Sequence, residues 1–268
     1  MTNKQVVLVT GVSSGIGQAS AQNFAKRGCR VFGTVRNLDK APSIPGVELV
    51  EMDIRDEASV KRAIDTVISK AKRIDVLVNN AGGTMLGSIE ETSVVEARAL
   101  FETNVFGTMR VSQAVLPTMR EQASGRIVNV SSVLGFLPAP YMGVYSATKH
   151  AIEGLSETLD HEVRGFGVRV VIVEPSYTKT NLDLNAPQAA RQIAAYDTDR
   201  TNVSRAIVNS VNKAPGPDSV AATIVDAALS GWKMRWTPKG EASLLRKLRR
   251  FMPAGPVDSS LRKTFGLS

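Results

Sequence analysis

The stretch VVLVTGVSSGIG, Val6 to Gly17, carries an apolar run of strand length directly into a glycine-rich turn and on into a helical pattern. A strand that feeds a helix through glycines opens a βαβ unit, and each glycine answers a separate demand. Gly11 permits the tight turn, Gly15 lets a phosphate approach the backbone, and Gly17 lets helix and strand pack closely. The N–H groups at the helix start, with the helix dipole, favour a pyrophosphate. An ordinary strand-to-helix turn also uses glycine and serine; the strand, turn and helix in sequence favour nucleotide binding over that alternative.

Working outward, short runs rich in valine and isoleucine alternate with longer amphipathic segments, which is the pattern of a parallel sheet built from βαβ units. Strands are expected at 6–10, 30–35, 47–53, 75–80, 126–132 and 168–175, and helices near 15–27, 56–72, 93–121 and 144–164. The strand runs are continuous rather than alternating, as expected where helices cover both faces. The result is a doubly wound sheet, whose ligands lie beyond the carboxyl ends of the strands. Residues 182–217 break the regularity and read as a substrate loop or lid. No linker or repeat divides the 268 residues, so a single domain is expected.

The lone cysteine, Cys29, cannot form an intramolecular disulfide, and neither His150 nor His161 has zinc-ligand spacing, so no metal is expected. No stretch approaches the ~18 apolar residues of a membrane span. The first residues show no leader pattern, which leads to the expectation of a soluble cytoplasmic protein. The net charge of +8 sits almost wholly in a basic C-terminal extension, 233–268, where nine lysines and arginines face two acids. With a nearly neutral body and no recognition motif, nucleic acid is not an expected partner.

A second stretch, VYSATKHAIEG, sets Tyr145 four residues before Lys149 on one helical face. An ammonium beside a phenol favours the phenolate, bringing the tyrosine toward the range general acid–base chemistry needs. Such pairs also occur by chance on solvated faces, so the pair gains meaning only beside the other motifs.

Taken in order, TGxxxGxG, NNAG (Asn79 to Gly82), a serine and then YxxxK resemble the short-chain dehydrogenase/reductase family over about residues 5–181. That resemblance implies a Rossmann-type doubly wound α/β fold in three α/β/α layers. It implies a catalytic set of Asn104, Ser132, Tyr145 and Lys149; family spacing selects Ser132 over Ser131, and Tyr141 lacks a lysine four residues on. The cofactor is expected against Gly11, Ser13, Ser14, Gly15 and Ile16, then Asp53 and Ile54, then Asn80, Ala81 and Gly82, with Tyr145 and Lys149 serving it as well. Pro175, Thr178 and Thr180 fall in the segment matching the family's PGxxxT, although Ser176 stands where glycine is usual. Asp53 matches the family's contact to the adenine amino group; a helix-capping aspartate is the alternative.

NADP(H) is the expected cofactor, because Val35 occupies the position of an NAD-selecting acid and Arg36 follows it, with Asn37 a further donor. The resemblance implies hydride transfer between nicotinamide and a carbonyl or secondary alcohol of a small to medium apolar molecule. The pattern VFGTVRNLDKA and the extended C-terminus resemble the NADP-preferring hydroxysteroid and retinol dehydrogenase branch. Alternatives are a 3-oxoacyl-carrier-protein-type reductase, which the basic tail would suit, and a non-catalytic NADP-sensing regulatory protein. A homodimer or homotetramer is implied, built through the helices near 93–121 and 144–164. In the tail, Leu244, Leu245, Leu248 and Phe251 recur at helical spacing; a lid or subunit contact is favoured over a membrane-surface helix.

Overall fold

A computed structural model describes residues 4–267. Seven parallel strands, β1 (Val6–Val9), β2 (Arg30–Val35), β3 (Val47–Glu51), β4 (Val76–Asn79), β5 (Gly125–Val130), β6 (Val168–Val173) and β7 (Arg235–Trp236), lie in the order β3-β2-β1-β4-β5-β6-β7. The strand order reverses between β1 and β4, where Val7 is level with Val76. In such sheets the crevice at the reversal is the ligand site.

The alternation of side chains along β1 makes both layers. Val7 and Val9 face α1 (Gly15–Lys26) and α8 (Asp218–Leu229), packing with Phe24, Ile224 and Val225. Val6 and Leu8 face the other layer, with Ile64 of α2 (Glu57–Ala71), Val115 and Met119 of α4 (Thr108–Glu121) and Val163 of α5 (Gly143–Val163). Both layers are apolar because the strands are covered on both sides, which is why the strand runs lack polar alternation.

The helix expected over 93–121 is divided. α3 (Val94–Phe101), opened by a Ser93–Glu96 capping box, leads into a π-turn, Glu102–Gly107, before α4 resumes. The segment 182–217 is more ordered than its sequence indicates: it holds most of α6 (Asn181–Leu184) and all of α7 (Asp197–Lys213). α7 hides its stripe of Val203, Ile207 and Val211 among Asn, Thr, Ser and Asp, residues that favour turns by bonding to nearby backbone. It is tied down through Arg200, which pairs with the buried carboxylate of Glu91; Glu91 also accepts from Ile193 N at 3.0 Å. α8 and β7 complete the sheet layers, and α9 (Glu241–Phe251) and α10 (Ala254–Phe265) follow. None of the described helices is long and apolar enough to cross a membrane.

Candidate active site

The glycine turn and the fourth strand's exit are built against each other. Thr10 Oγ1 accepts from Asn80 N at 3.0 Å and Ala81 N at 2.9 Å, while Asn80 Nδ2 donates to Thr10 O and Gly11 O. Gly11 and Gly15 have φ of 71° and 58°, which side chains resist. A Cβ on Gly17 would lie 2.2 Å from Gly11 O, so only glycine lets α1 start so close to the turn. α1 also differs from its neighbours at its N-terminus. Asp56 caps α2 and Ser93 caps α3, whereas Ser14 makes no side-chain cap and the first turn of α1 carries no acid. Its leading N–H groups thus point out with the positive end of the dipole, a fit for a phosphate group.

From this turn a cavity of about 720 Å³ runs across the carboxyl ends of the strands. Its nucleotide end is walled by Gly11, Ser13, Ser14, Gly15, Ile16, Arg36, Asp53, Ile54, Asn80, Ala81 and Gly82, and Pro175, Thr178 and Thr180 close it from the far side of the crevice. Thr180 lies against Gly15, its Cγ2 placed 3.3 Å from where a Cβ would be. These residues fit a dinucleotide. Asn37 stands outside the wall, its Oδ1 accepting from Lys40 N in the following turn, so its side chain is engaged in local structure. Asp56, not Asp53, caps α2; Asp53 is gripped by Arg55, whose Nη2 approaches to 2.6 Å. Hydrogen bonds from Arg55 hold the Asp53 carboxyl down at about 2. Arg55 lines the same wall and was not anticipated; only its alternation past Asp53 could have signalled it.

Ser132, Tyr145 and Lys149 share the middle of the cavity. Ser132 lies just past β5 and starts a single 3-10 turn, Val133–Gly135, its Oγ accepting from Leu134 N at 3.2 Å. Tyr145 and Lys149 project from the first turns of α5. Lys149 Nζ donates to Val130 O at 2.9 Å and sits 5.6 Å from the centre of the Tyr145 ring. Burial lowers the Lys149 ammonium to about 8, with Glu153 and Asp183 acting against it.

Two expectations need correcting. Lys149 does not bring the Tyr145 phenol toward neutrality here: burial pushes it up, the Asp183 carboxylate adds to this, and the Ser132 hydroxyl opposes it. The ammonium bonds a main-chain carbonyl and faces the ring, so its charge is not directed at the phenol oxygen. The amide hydrogens of Asn104 are engaged elsewhere. Its Oδ1 accepts from Gly83 N at 2.8 Å and its Nδ2 donates to Gly83 O and Thr148 Oγ1, leaving no amide hydrogen for a water beside the lysine. It braces the loop after β4 against α5, and the π-turn is what aims it there.

Beyond Tyr145 the wall turns apolar, with Leu134, Leu137, Met142, Tyr177 and Leu182, and is completed by Leu245, Leu248 and Met252 from α9 and Val257, Leu261 and Phe265 from α10. The family model for short chain dehydrogenases matches residues 5–191, the span that holds the phosphate-fitting turn and Ser132, Tyr145 and Lys149. The chain belongs to the short-chain dehydrogenase/reductase family.

Members of that family are oxidoreductases acting on CH–OH or carbonyl groups, and this chain is one of them. It is 39% identical over 181 residues to a 3-ketodihydrosphingosine reductase of Bacteroides thetaiotaomicron, covering 68% of this chain and 66% of that protein. Among solved structures it is similar to a short-chain dehydrogenase/reductase of Burkholderia phymatum in complex with NAD, with a TM-score of 0.79, 26% identity and 92% of each chain covered. It is also similar to a short-chain dehydrogenase of Burkholderia cenocepacia in complex with NADP, at TM-score 0.76, 26% identity and 99% coverage of both. A nicotinamide cofactor is common to those two complexes.

Proposed function

We propose that the protein is an NADP(H)-dependent oxidoreductase that interconverts a carbonyl and a secondary alcohol on an apolar substrate. The observation that carries this is the convergence of Ser132, Tyr145 and Lys149 on one cavity between a phosphate-fitting turn and an apolar pocket. The nicotinamide supplies or takes the hydride at the substrate carbon. Tyr145 gives the carbonyl oxygen its proton in the reductive direction and removes it in the other. Ser132 donates a hydrogen bond to that oxygen as negative charge builds, an effect commonly worth ~3 kcal/mol. Lys149 holds the cofactor ribose and restores charge balance under the ring; Asn104 is a positioning residue acting through Gly83 and Thr148. The apolar wall excludes water from the reacting carbon. The keto substrate named for the Bacteroides reductase, on a long chain, is in keeping with that wall.

NADP is favoured over NAD because the carboxylate that would accept a free ribose hydroxyl is absent. Val35 is buried there, and Arg36 lines the cavity, where its guanidinium would offer a fork of donors to phosphate oxygens. Steady-state turnover of a carbonyl panel with NADPH and NADH is the direct test. Wild type is expected to prefer NADPH, and Val35→Asp with Arg36→Ala to move the ratio of kcat/KM values toward NAD by ~2 to 4 kcal/mol. Equal use of both cofactors by wild type sinks the NADP assignment. Tyr145→Phe, run alongside, should bind NADPH as before and keep less than about a tenth of the activity; a larger remainder removes Tyr145 as the acid.

A further inference from the structure

Closure of the pocket accounts for only part of α9. At about 3.6 residues per turn, Leu244, Leu245, Leu248, Phe251 and the adjoining Met252 fall within an arc of ~120° on the helix surface. Leu245, Leu248 and Met252 line the cavity. The rest of the arc faces outward, with Leu244 57% and Phe251 80% exposed. The two parts meet at Leu248 and Met252, which line the cavity and are still 39% and 37% exposed, so the mouth of the pocket opens beside an apolar strip on its own lid.

Cations flank that strip. By the same geometry Lys247 lies at one margin of the arc and Arg249 at the other, and both are exposed. The adjoining segments add the exposed Lys239, Arg262 and Lys263, and over 233–268 nine lysines and arginines stand against two acids. Glu241, the one acid of α9, is in its first turn, roughly 15 Å along the axis from Phe251. A helix with an apolar arc between basic margins suits the plane of a lipid interface, its arc toward the acyl chains and its cations among the headgroups. The long stems of Lys247 and Arg249 let their charges reach the phosphates from the edges of the arc. A second copy of the chain on this face would set like charges against each other. An acidic protein would meet the cations but offers no apolar layer into which both the strip and the cavity mouth open. A bilayer with anionic lipid supplies both.

We propose that α9 docks on an anionic lipid leaflet, with Leu244 and Phe251 in the outer acyl layer and Lys247 and Arg249 among the headgroup phosphates, so that apolar molecules pass between bilayer and pocket past Leu248 and Met252. None of the described helices is long and apolar enough to cross a membrane, so the attachment is to one leaflet. The docking does not depend on the reading of the site as a carbonyl reductase, because it is measured without turnover.

The test is co-sedimentation of the full chain with vesicles of phosphatidylcholine alone and of phosphatidylcholine mixed equally with phosphatidylglycerol. Wild type is expected to partition onto the mixed vesicles at least ~10-fold more strongly, as for two or more basic side chains at the lipid surface, and to lose that preference in high salt. Leu244→Ser with Phe251→Ser should cut binding to the mixed vesicles ~10-fold or more while the thermal transition is kept, and Lys247→Glu should weaken it and flatten its salt dependence. Should the double variant not fold, Phe251→Trp decides: brominated acyl chains in the mixed vesicles should quench its fluorescence beyond the quenching seen in wild type, and equal quenching overturns the inference. Wild type left in the supernatant with both vesicles, or binding unchanged in the folded double variant, also overturns it. Retention by an acidic acyl-carrier protein without vesicle binding overturns it in favour of a protein partner.

Discussion

Lys149 carries two obligations that conflict, and the conflict is measurable. Its ammonium is buried, which lowers it from 10.5 to about 8, yet the proposed chemistry needs it charged near neutral pH. The unfolded chain keeps that proton up to 10.5, so between about 8 and 10.5 the unfolded state binds more protons than the folded one and stability rises with pH through that window. Below pH 8 the full cost is present, on the order of 3 kcal/mol from the size of the shift. Urea unfolding of the cofactor-free protein at stepped pH should show this contribution as a difference: Lys149→Met should be more stable than wild type at pH 7.5, and that advantage should shrink as the pH climbs from about 8 to 10.5. A difference between the two proteins that stays constant across that window would show that the lysine is not desolvated in the folded state. At this scale the sequence is informative where partners are close along the chain. The spacing of Tyr145 and Lys149 makes both legible, and TGVSSGIG exposes the phosphate turn. The charge acting on Tyr145 comes from Asp183, thirty-eight positions onward by the numbering, and the grip of Arg55 on Asp53 depends on the bend after β3. No spacing rule announces either.

Among the elements, α9 decides how the apolar pocket is closed. Its stripe is readable, but its direction is not: Leu245 and Leu248 line the cavity, while Leu244 is 57% exposed. What orients the helix is Arg246, whose Nη1 reaches Glu174 Oε2 at 2.8 Å. Glu174 is buried at the end of β6, directly before Pro175, and Arg235 from β7 also pairs with it. Burial and the neighbouring Glu153 raise Glu174 to about 7 despite both arginines. Removing one cation from a buried cluster costs more than an exposed pair would, because the remaining carboxylate is left poorly compensated. Arg246→Ala is expected to speed limited proteolysis within 241–265 and to raise KM for apolar ketones ~3- to 10-fold with a smaller change in kcat, as for loss of uniform substrate binding. Unchanged KM and proteolysis would mean that α9 is held by its apolar contacts alone. The long-range pair of Arg246 with Glu174 is invisible to helical periodicity, as is the π-turn that interrupts the expected helix over 93–121.

Over the whole molecule, the doubly wound sheet was legible because six of its strands are apolar runs long enough to recognise. The two-residue β7 was missed for the opposite reason. Phe106 of the π-turn, Met109 of α4 and Leu155 of α5 leave large apolar side chains exposed on packed neighbouring elements, a surface of the kind that marks a protein contact. We expect a homodimer or homotetramer through this face, in line with the family's habit. Light scattering after size exclusion should show a multiple of the 28.7 kDa chain, falling in Leu155→Asp with the far-UV spectrum kept; an unchanged mass would place the contact elsewhere. Finally, β1 has β2 on one edge and β4 on the other, its second neighbour arriving some seventy residues after it, while the cavity wall draws on residues from Gly11 to Phe265. During synthesis the first strand must therefore wait with an open edge until β4 leaves the ribosome, and the pocket's apolar floor stays wet until α9 and α10 emerge. Sites assembled from such distant contacts form late, and the nascent chain is most prone to misassociation just before α9 and α10 arrive.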